Sequence, residues 1–299
     1  MKFAVLSAGA PRHGRNAAAQ WQGISDSEGW GWEVSFLEWG KDGYASYDLE
    51  AHNVCVWLGC FENVFNFMLQ VQGPKHIAYW IGTDLLQHRD LVQRGVYDPF
   101  EAAALHLADA PHLSEEARAL TGREVRYVRS IPPGPVAPSP IRGWESVVCY
   151  VPVGREGFFR YGWIGEVASD YPDLRFDVLR PGIAEEKVEG NLIEHPDSGR
   201  EGALGLLDSC FALLRPCVHD GVSLTLVEAA QMGRHFIHSD TRVPHAVSGR
   251  SVGEIEFRLD RLLELRQQPD EAVGEFYRKE YSVEALVGDL NRLREAHGW

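Results

Sequence analysis

No apolar run of about eighteen residues, the length a membrane-spanning helix needs, occurs anywhere in the 299-residue chain. Cysteine is scarce: Cys55, Cys60, Cys149, Cys210 and Cys217 form an odd set with no CxxC pair, and the twelve histidines include no HExxH. The ligand spacings of a zinc site are therefore missing, and no metal and no cofactor is expected. Four of those cysteines sit in or beside apolar runs, where the thiol behaves as a small core group. GxGxxG and GxxxxGK[ST] are also absent, which removes both the dinucleotide fingerprint and the P-loop. Positive charge is in deficit: 29 Lys and Arg against 43 Asp and Glu give −14, against non-specific binding to nucleic acid or an anionic membrane. Lysine is the rarer of the two, five of the 29, so the cations are mostly guanidiniums, which suit bidentate contact with phosphate.

What is present is the 44% apolar content of a globular protein, arranged as strand-like runs alternating with helix-like segments. The opening "MKFAVLSAGAPRHGRN" has an apolar run of only about five residues, broken by Ser7 and Gly9, too short for a signal peptide's core. It reads as a buried first strand of a cytoplasmic protein. Strands follow at 32–39, 53–59, 76–82, 104–110 and 125–131, with helices at 14–27, 61–72 and 112–122. Such alternation predicts parallel βα units in a doubly wound sheet. "SIPPGPVAPSPIRG" (130–143), with five prolines, fits neither a central strand nor a helix interior and reads as a linker. The alternation then restarts with strands at 146–152, 174–182, 210–216 and 234–240 and helices at 162–171, 199–209 and 223–232; the end is amphipathic helix. The expected organisation is an α/β chain of two Rossmann-like doubly wound domains, 1–143 and 144–280, facing across a cleft. A final helix, 281–299, packs back on the first.

Ligands of open parallel sheets bind beyond the carboxyl ends of strands. After strand 146–152 the loop "VGREGFFRYG" carries Gly154, Arg155 and Arg160. Two guanidiniums there suit the phosphates of a nucleotide sugar, although arginines of a solvated loop read the same when taken alone. After strand 210–216 comes "VHDGVSLTLVEAAQMG". With Ser223 as N-cap, the N–H groups of Leu224, Thr225 and Leu226 at the helix start form an anion site. Glu228, one turn inside, would reach ribose hydroxyls, and Asp220 the hydroxyls of a sugar. The plain alternative is a turn followed by a capped helix.

In combination these features resemble the GT-B fold and, within it, retaining glycosyltransferase family 4. The family's acidic-x7-Glu signature is matched by Asp220 and Glu228, with Asp where Glu is usual; its Gly-Arg turn with Lys five residues on is matched by Gly154, Arg155 and Arg160, with Arg for Lys and the following Gly displaced to Gly162. "HSDTRVPHAV" (238–247) resembles the loop after the signature helix. The resemblance implies a metal-independent transfer of a sugar from UDP- or GDP-sugar to a hydroxyl acceptor of a glycan, a lipid-linked compound or a small molecule. Arg155, Arg160 and Asp220 would act at the reacting centre, and Gly9, Gly154, Ser223, Leu224, Thr225 and Glu228 would hold the donor. In the first domain Arg12, His13 and Arg15 would serve an anionic acceptor or phosphate. Gly82 and Asp84 would face the cleft in "YWIGTD", where Ile81 replaces the family's usual His. Three alternatives stay open: a sugar-nucleotide epimerase or hydrolase of the same shape, a catalytically silent sugar-nucleotide-binding protein, and a phage-type glycosyltransferase acting on modified DNA. The −14 charge weighs against the last.

Overall fold

A computed structural model of the chain describes residues 1–7, 11–38, 48–60, 62–93, 99–269 and 271–299. They fall into two units: Met1–Pro133 with Tyr281–Trp299, and Gly134–Glu280.

The first unit holds β1 (Lys2–Ser7), α1 (Pro11–Glu28), β2 (Glu33–Glu38), β3 (Val54–Leu58), α2 (Glu62–Met68), β4 (Lys75–Trp80), α3 (Thr83–Gln93), β5 (Leu105–Ala108), α4 (Pro111–Thr121) and β6 (Val125–Tyr127). The six strands are parallel in the order β2-β1-β3-β4-β5-β6. β3 is buried along its whole length, as is β1 after its first residue, which is why they read as unbroken apolar runs rather than alternating ones. α4 starts on Pro111, whose fixed φ suits a first turn, and stops at Gly122, whose φ of 67° closes the left-handed cap. Beyond β6 the chain passes α1: Asn16 Nδ2 donates to the Ile131 carbonyl, and Gln20 Nε2 to those of Ile131 and Pro132.

The second unit holds β7 (Ser146–Tyr150), α5 (Tyr161–Asp170), β8 (Arg175–Leu179), β9 (Lys187–Glu189), β10 (Leu192–His195), α6 (Gly199–Ser209), β11 (Ala212–Arg215), α7 (Leu224–Gln231), β12 (His235–His238), β13 (Val247–Ser248), α8 (Val252–Leu265) and α9 (Glu271–Glu280). Its seven strands run β13-β12-β11-β7-β8-β10-β9, parallel except for the β9–β10 hairpin. Val147, Cys149, Phe176, Val178, Leu214 and Ile237 belong to its core, and all five cysteines are buried free thiols. Residues 134–143, read as linker from the prolines, cluster with this unit. The buried Arg234 donates Nη1 to the Ser139 carbonyl, and Gln268 exchanges two hydrogen bonds with the Ile141 backbone. Proline excludes helix and ladder from such a segment, but side chains can still pin its carbonyls.

The chain then returns to the first unit as α10 (Val283–His297), capped by Ser282, whose Oγ accepts from Ala285 N. Asp289 on α10 is 1% exposed and takes three hydrogen bonds from Arg129: Nε at 2.6 Å, the backbone N–H at 3.0 Å and Nη2 at 3.2 Å. The parallel sheets with crossover helices and the returning last helix agree with the expected fold class.

Candidate functional site

In each unit the strand order reverses at one point, between β1 and β3 in the first and between β7 and β11 in the second. Helices that follow such a strand pair leave to opposite faces, and a crevice opens at the strands' carboxyl ends. The two loops singled out in the sequence follow β7 and β11, so the sheet order itself brings them together. A backbone bond joins them directly, from Val218 N–H to the Phe158 carbonyl at 2.9 Å.

The loop after β7 turns at Gly154, with φ of 78°. Its guanidiniums are braced by rings: Arg155, exposed, lies 5.1 Å from the Phe158 centroid, and Arg160 lies 4.2 Å from that of Trp163. Arg160 caps α5 in a left-handed conformation, and its Nη1 is buried without a hydrogen-bond partner among the described residues. A cationic nitrogen held out of water and unpaired is costly unless a ligand completes it. Arg180, at the start of the segment after β8, was not singled out from sequence. It is buried, donates Nη1 to the Val151 carbonyl and Nη2 to Glu156, and so braces this loop from below.

The loop after β11 ends on Ser223, whose Oγ accepts from Leu226 N–H at 3.3 Å. That removes Leu226 from the three N–H groups expected to face a ligand, because the cap side chain satisfies it internally. Leu224 and Thr225 N–H meet no acceptor among the described residues. Glu228 is 6% exposed and accepts from Arg200 Nε at 2.7 Å; Arg200 also holds the Gly134 carbonyl. Burial raises the Glu228 carboxyl, with Arg200 opposing. Glu228 is therefore half of a carboxylate–guanidinium pair rather than a lone carboxylate.

Asp220 is the larger departure. It is not an open acceptor: Arg215 Nε donates to Oδ2, and His238 Nε2 lies 3.4 Å from the same oxygen. Asp240 N–H donates to His238 Nδ1 at 2.9 Å, which places the imidazole proton on Nε2, facing Asp220. Burial alone would raise the Asp220 carboxyl, but Arg215 and the His238 hydrogen bond outweigh it and hold it below the usual carboxylate range. A group whose folded pKa is depressed stabilises the fold above its unfolded value near 4 and loses that contribution as pH falls. Asp220→Asn is thus expected to lower the urea midpoint at pH 7 and to lose less than wild type between pH 5 and 3; an unchanged midpoint at pH 7 contradicts the pairing.

Cys217, Asp220 and His238 converge closely enough to hold a cation. Their chemistry does not fit one: Nε2 carries a proton, Arg215 already faces the carboxylate, and burial, then Asp220, push the Cys217 thiol up to about 12. A bound metal needs a thiolate and an imidazole lone pair.

The first unit treats its candidates differently. Gly9 lies outside the described residues. His13, in the first turn of α1, bonds Ser130 Oγ at 2.7 Å, and burial pushes it down to about 4. It is neutral at pH 7 and offers no charge to an anionic acceptor, contrary to the expectation. Arg15 is spent on an exposed ion pair with Glu38, over the Phe36 ring, and Arg12 is exposed. Gly82 has φ of 114°, and the turn it makes lets Asp84 fold back. Asp84 is fully buried and accepts from the backbone N–H groups of Cys60, Ile81 and Leu85. Its carboxylate joins the ends of β3 and β4 and is not available to a ligand.

No protein-family model matches the chain, and no curated protein matches it by sequence. Solved structures do match by shape. Sucrose-phosphate synthase from Thermosynechococcus elongatus superposes with a TM-score of 0.69 at 12% identity, covering 99% of this chain and 98% of its own. The fold is GT-B. A second GT-B structure, the lipopolysaccharide outer core galactosyltransferase WaaB, gives 0.63 at 12% identity over 99% of both chains. TarM gives 0.58 at 9% identity over 80% of this chain, which spans only 54% of TarM. Among the described residues no helix of this GT-B chain is long and apolar enough to cross a membrane.

Proposed function

We propose that the second unit binds a nucleoside-diphosphate sugar, and that the chain is a retaining glycosyltransferase of the family 4 type. The observation that carries this is that the two loops at the β7/β11 reversal, joined by the Val218 N–H to Phe158 carbonyl bond, carry Arg155 and Arg160, with its unpaired buried Nη1, on one side and the capped start of α7, with the uncommitted N–H groups of Leu224 and Thr225, on the other. Fixed donors on two adjoining loops suit a diphosphate whose charge grows as it leaves.

In the reaction the bond between the sugar C1 and the phosphate oxygen breaks, and its electron pair stays on the diphosphate. The acceptor hydroxyl oxygen bonds to C1 on the same face, and its proton passes to the leaving phosphate. No carboxylate of the protein needs to attack, in keeping with Asp220 and Glu228 both being held by guanidiniums. Glu228 with Arg200 would hold the ribose, and no metal is needed to offset the charge. UDP- and GDP-sugars are the expected donors, and the acceptor is a hydroxyl of a glycan, a lipid-linked compound or a small molecule.

Calorimetry against a panel of UDP- and GDP-sugars tests the donor site. Arg155→Ala and Glu228→Gln are each expected to weaken binding about tenfold with thermal stability within a few degrees of wild type. Unchanged affinity in both variants removes the assignment.

A further inference from the structure

β7 and β11, the strands that flank the reversal in the second unit, end on Tyr150 and Arg215. Sequence reading passed over Arg215, the last residue of an apolar strand. Its side chain is 6% exposed, and its guanidinium lies 5.5 Å from the Tyr150 ring centroid and 5.0 Å from that of Phe159. Phe159 belongs to the same loop as Arg155 and Arg160, so the ring that braces Arg215 is fixed by the loop that carries the other two cations.

Only one side of this guanidinium is committed. Nε donates to Asp220, which His238 also holds, and His238 is in turn set by the Asp240 N–H. The two Nη nitrogens meet no acceptor among the described residues, and neither is sealed from solvent as Arg160 Nη1 is. A planar fork is thus locked on its Nε edge, braced by rings, and left open on its Nη edge. It does so at the carboxyl end of the strand, where an open sheet binds its ligand. If Arg215 served only to neutralise Asp220, a bidentate pair through Nε and Nη2 would do so better. The single Nε contact leaves both Nη groups for something else.

We propose that the Nη edge of Arg215 is an oxyanion-binding fork of the donor site, with Asp220 and His238 as the residues that position it. Two sources share that chemistry: the diphosphate of a nucleotide sugar, and a carboxylate on the sugar of a uronic-acid donor. This rests on the second unit being the donor site. It adds a recognition element that sits on the strand end rather than in either loop, and makes the Asp at 220 a support for Arg215 rather than a sugar holder.

The test compares wild type with Arg215→Lys, Arg215→Met and the double variant Arg215→Met/Asp220→Asn, which leaves no unpaired buried charge should Arg215→Met fail to fold. Each is titrated with UDP, GDP, a neutral UDP-hexose, UDP-glucuronate and inorganic diphosphate. A diphosphate source predicts that UDP or GDP alone binds the double variant at least about tenfold more weakly than wild type, with Arg215→Lys between them. A carboxylate source predicts that the loss is confined to UDP-glucuronate. Equal affinities of the folded double variant and wild type for every probe that binds overturn the fork. Should wild type bind no nucleotide, the donor-site reading fails by itself, and inorganic diphosphate still decides the fork. Stabilisation of wild type that the double variant lacks upholds it, and no stabilisation of either overturns it.

Discussion

Asp289→Ala is expected to cost the first unit about 3–5 kcal/mol, because it removes the buried carboxylate on which the Nε, Nη2 and backbone N–H of Arg129 converge. Arg129 is 8% exposed and its Nε, Nη2 and backbone N–H all converge on Asp289, while its guanidinium lies 5.2 Å from the Tyr127 ring centroid. Arg292, one turn away, also reaches Asp289, but two-thirds of its side chain is in solvent, so its pairing contributes little. The Arg129–Asp289 pair joins the segment after β6 to α10, elements 160 positions apart in sequence. Urea denaturation followed by hydrogen exchange in α10 and β6 reads the loss. The double variant Arg129→Met/Asp289→Leu is expected to recover most of it, since an apolar pair of similar volume removes both buried charges together. A single variant within about 1 kcal/mol of wild type would show that water reaches the pair and that α10 is held by its leucines alone.

Arg160→Gly is expected to lower turnover of a nucleotide sugar, to an acceptor or slowly to water, by about a hundred- to a thousandfold. Glycine keeps the left-handed conformation that Arg160 adopts with φ of 47°, so the helix start stays intact and only the guanidinium is lost. Arg160→Lys supplies the control: the charge persists while stacking on Trp163 weakens, so activity within about tenfold of wild type is expected if charge at the leaving group is what matters. Should Arg160→Gly retain wild-type turnover at saturating donor, the unpaired Nη1 is a structural accident and not a catalytic group. An effect on KM alone would assign Arg160 to ground-state binding instead.

Much of the architecture could be read directly. The runs at 2–7, 53–59 and 146–152 are strands because parallel strands buried on both faces need continuous apolar sequence, and each lies within two residues of its expected bounds. Less visible were α3, whose "TDLLQHRDLVQ" is only weakly amphipathic, and the β9–β10 hairpin, whose first strand "KVE" is exposed along its whole length. The hairpin exists because β10 pairs with β8, a contact no local pattern encodes. The site was legible to the same degree. The Gly154–Arg155–Arg160 turn and the Ser223 cap are local geometry, and the chain places them as read. Arg180, Arg200 and Arg215 went unnoticed because each sits at a strand or helix end like any surface arginine; burial marks Arg180 and Arg215, and only its pairing with the buried Glu228 marks Arg200.

The sequence by itself determined what depends on near neighbours: the alternation of strand and helix, the proline-rich stretch that is neither, the capped start of α7 and the spacing of the two loops. Tertiary structure decided which charges are available. Asp84 and Asp220 look alike on the page, as acidic residues beside a turn, yet one is spent on three backbone N–H groups and the other on Arg215 and His238. His13 is half-buried and bonded to Ser130, and that partial burial pushes its imidazole down to about 4. Periodicity and capping are properties of a few consecutive residues. The charge state and partner of an ionisable group follow from how far packing removes it from water and what it finds there, which is set by segments far apart in the chain.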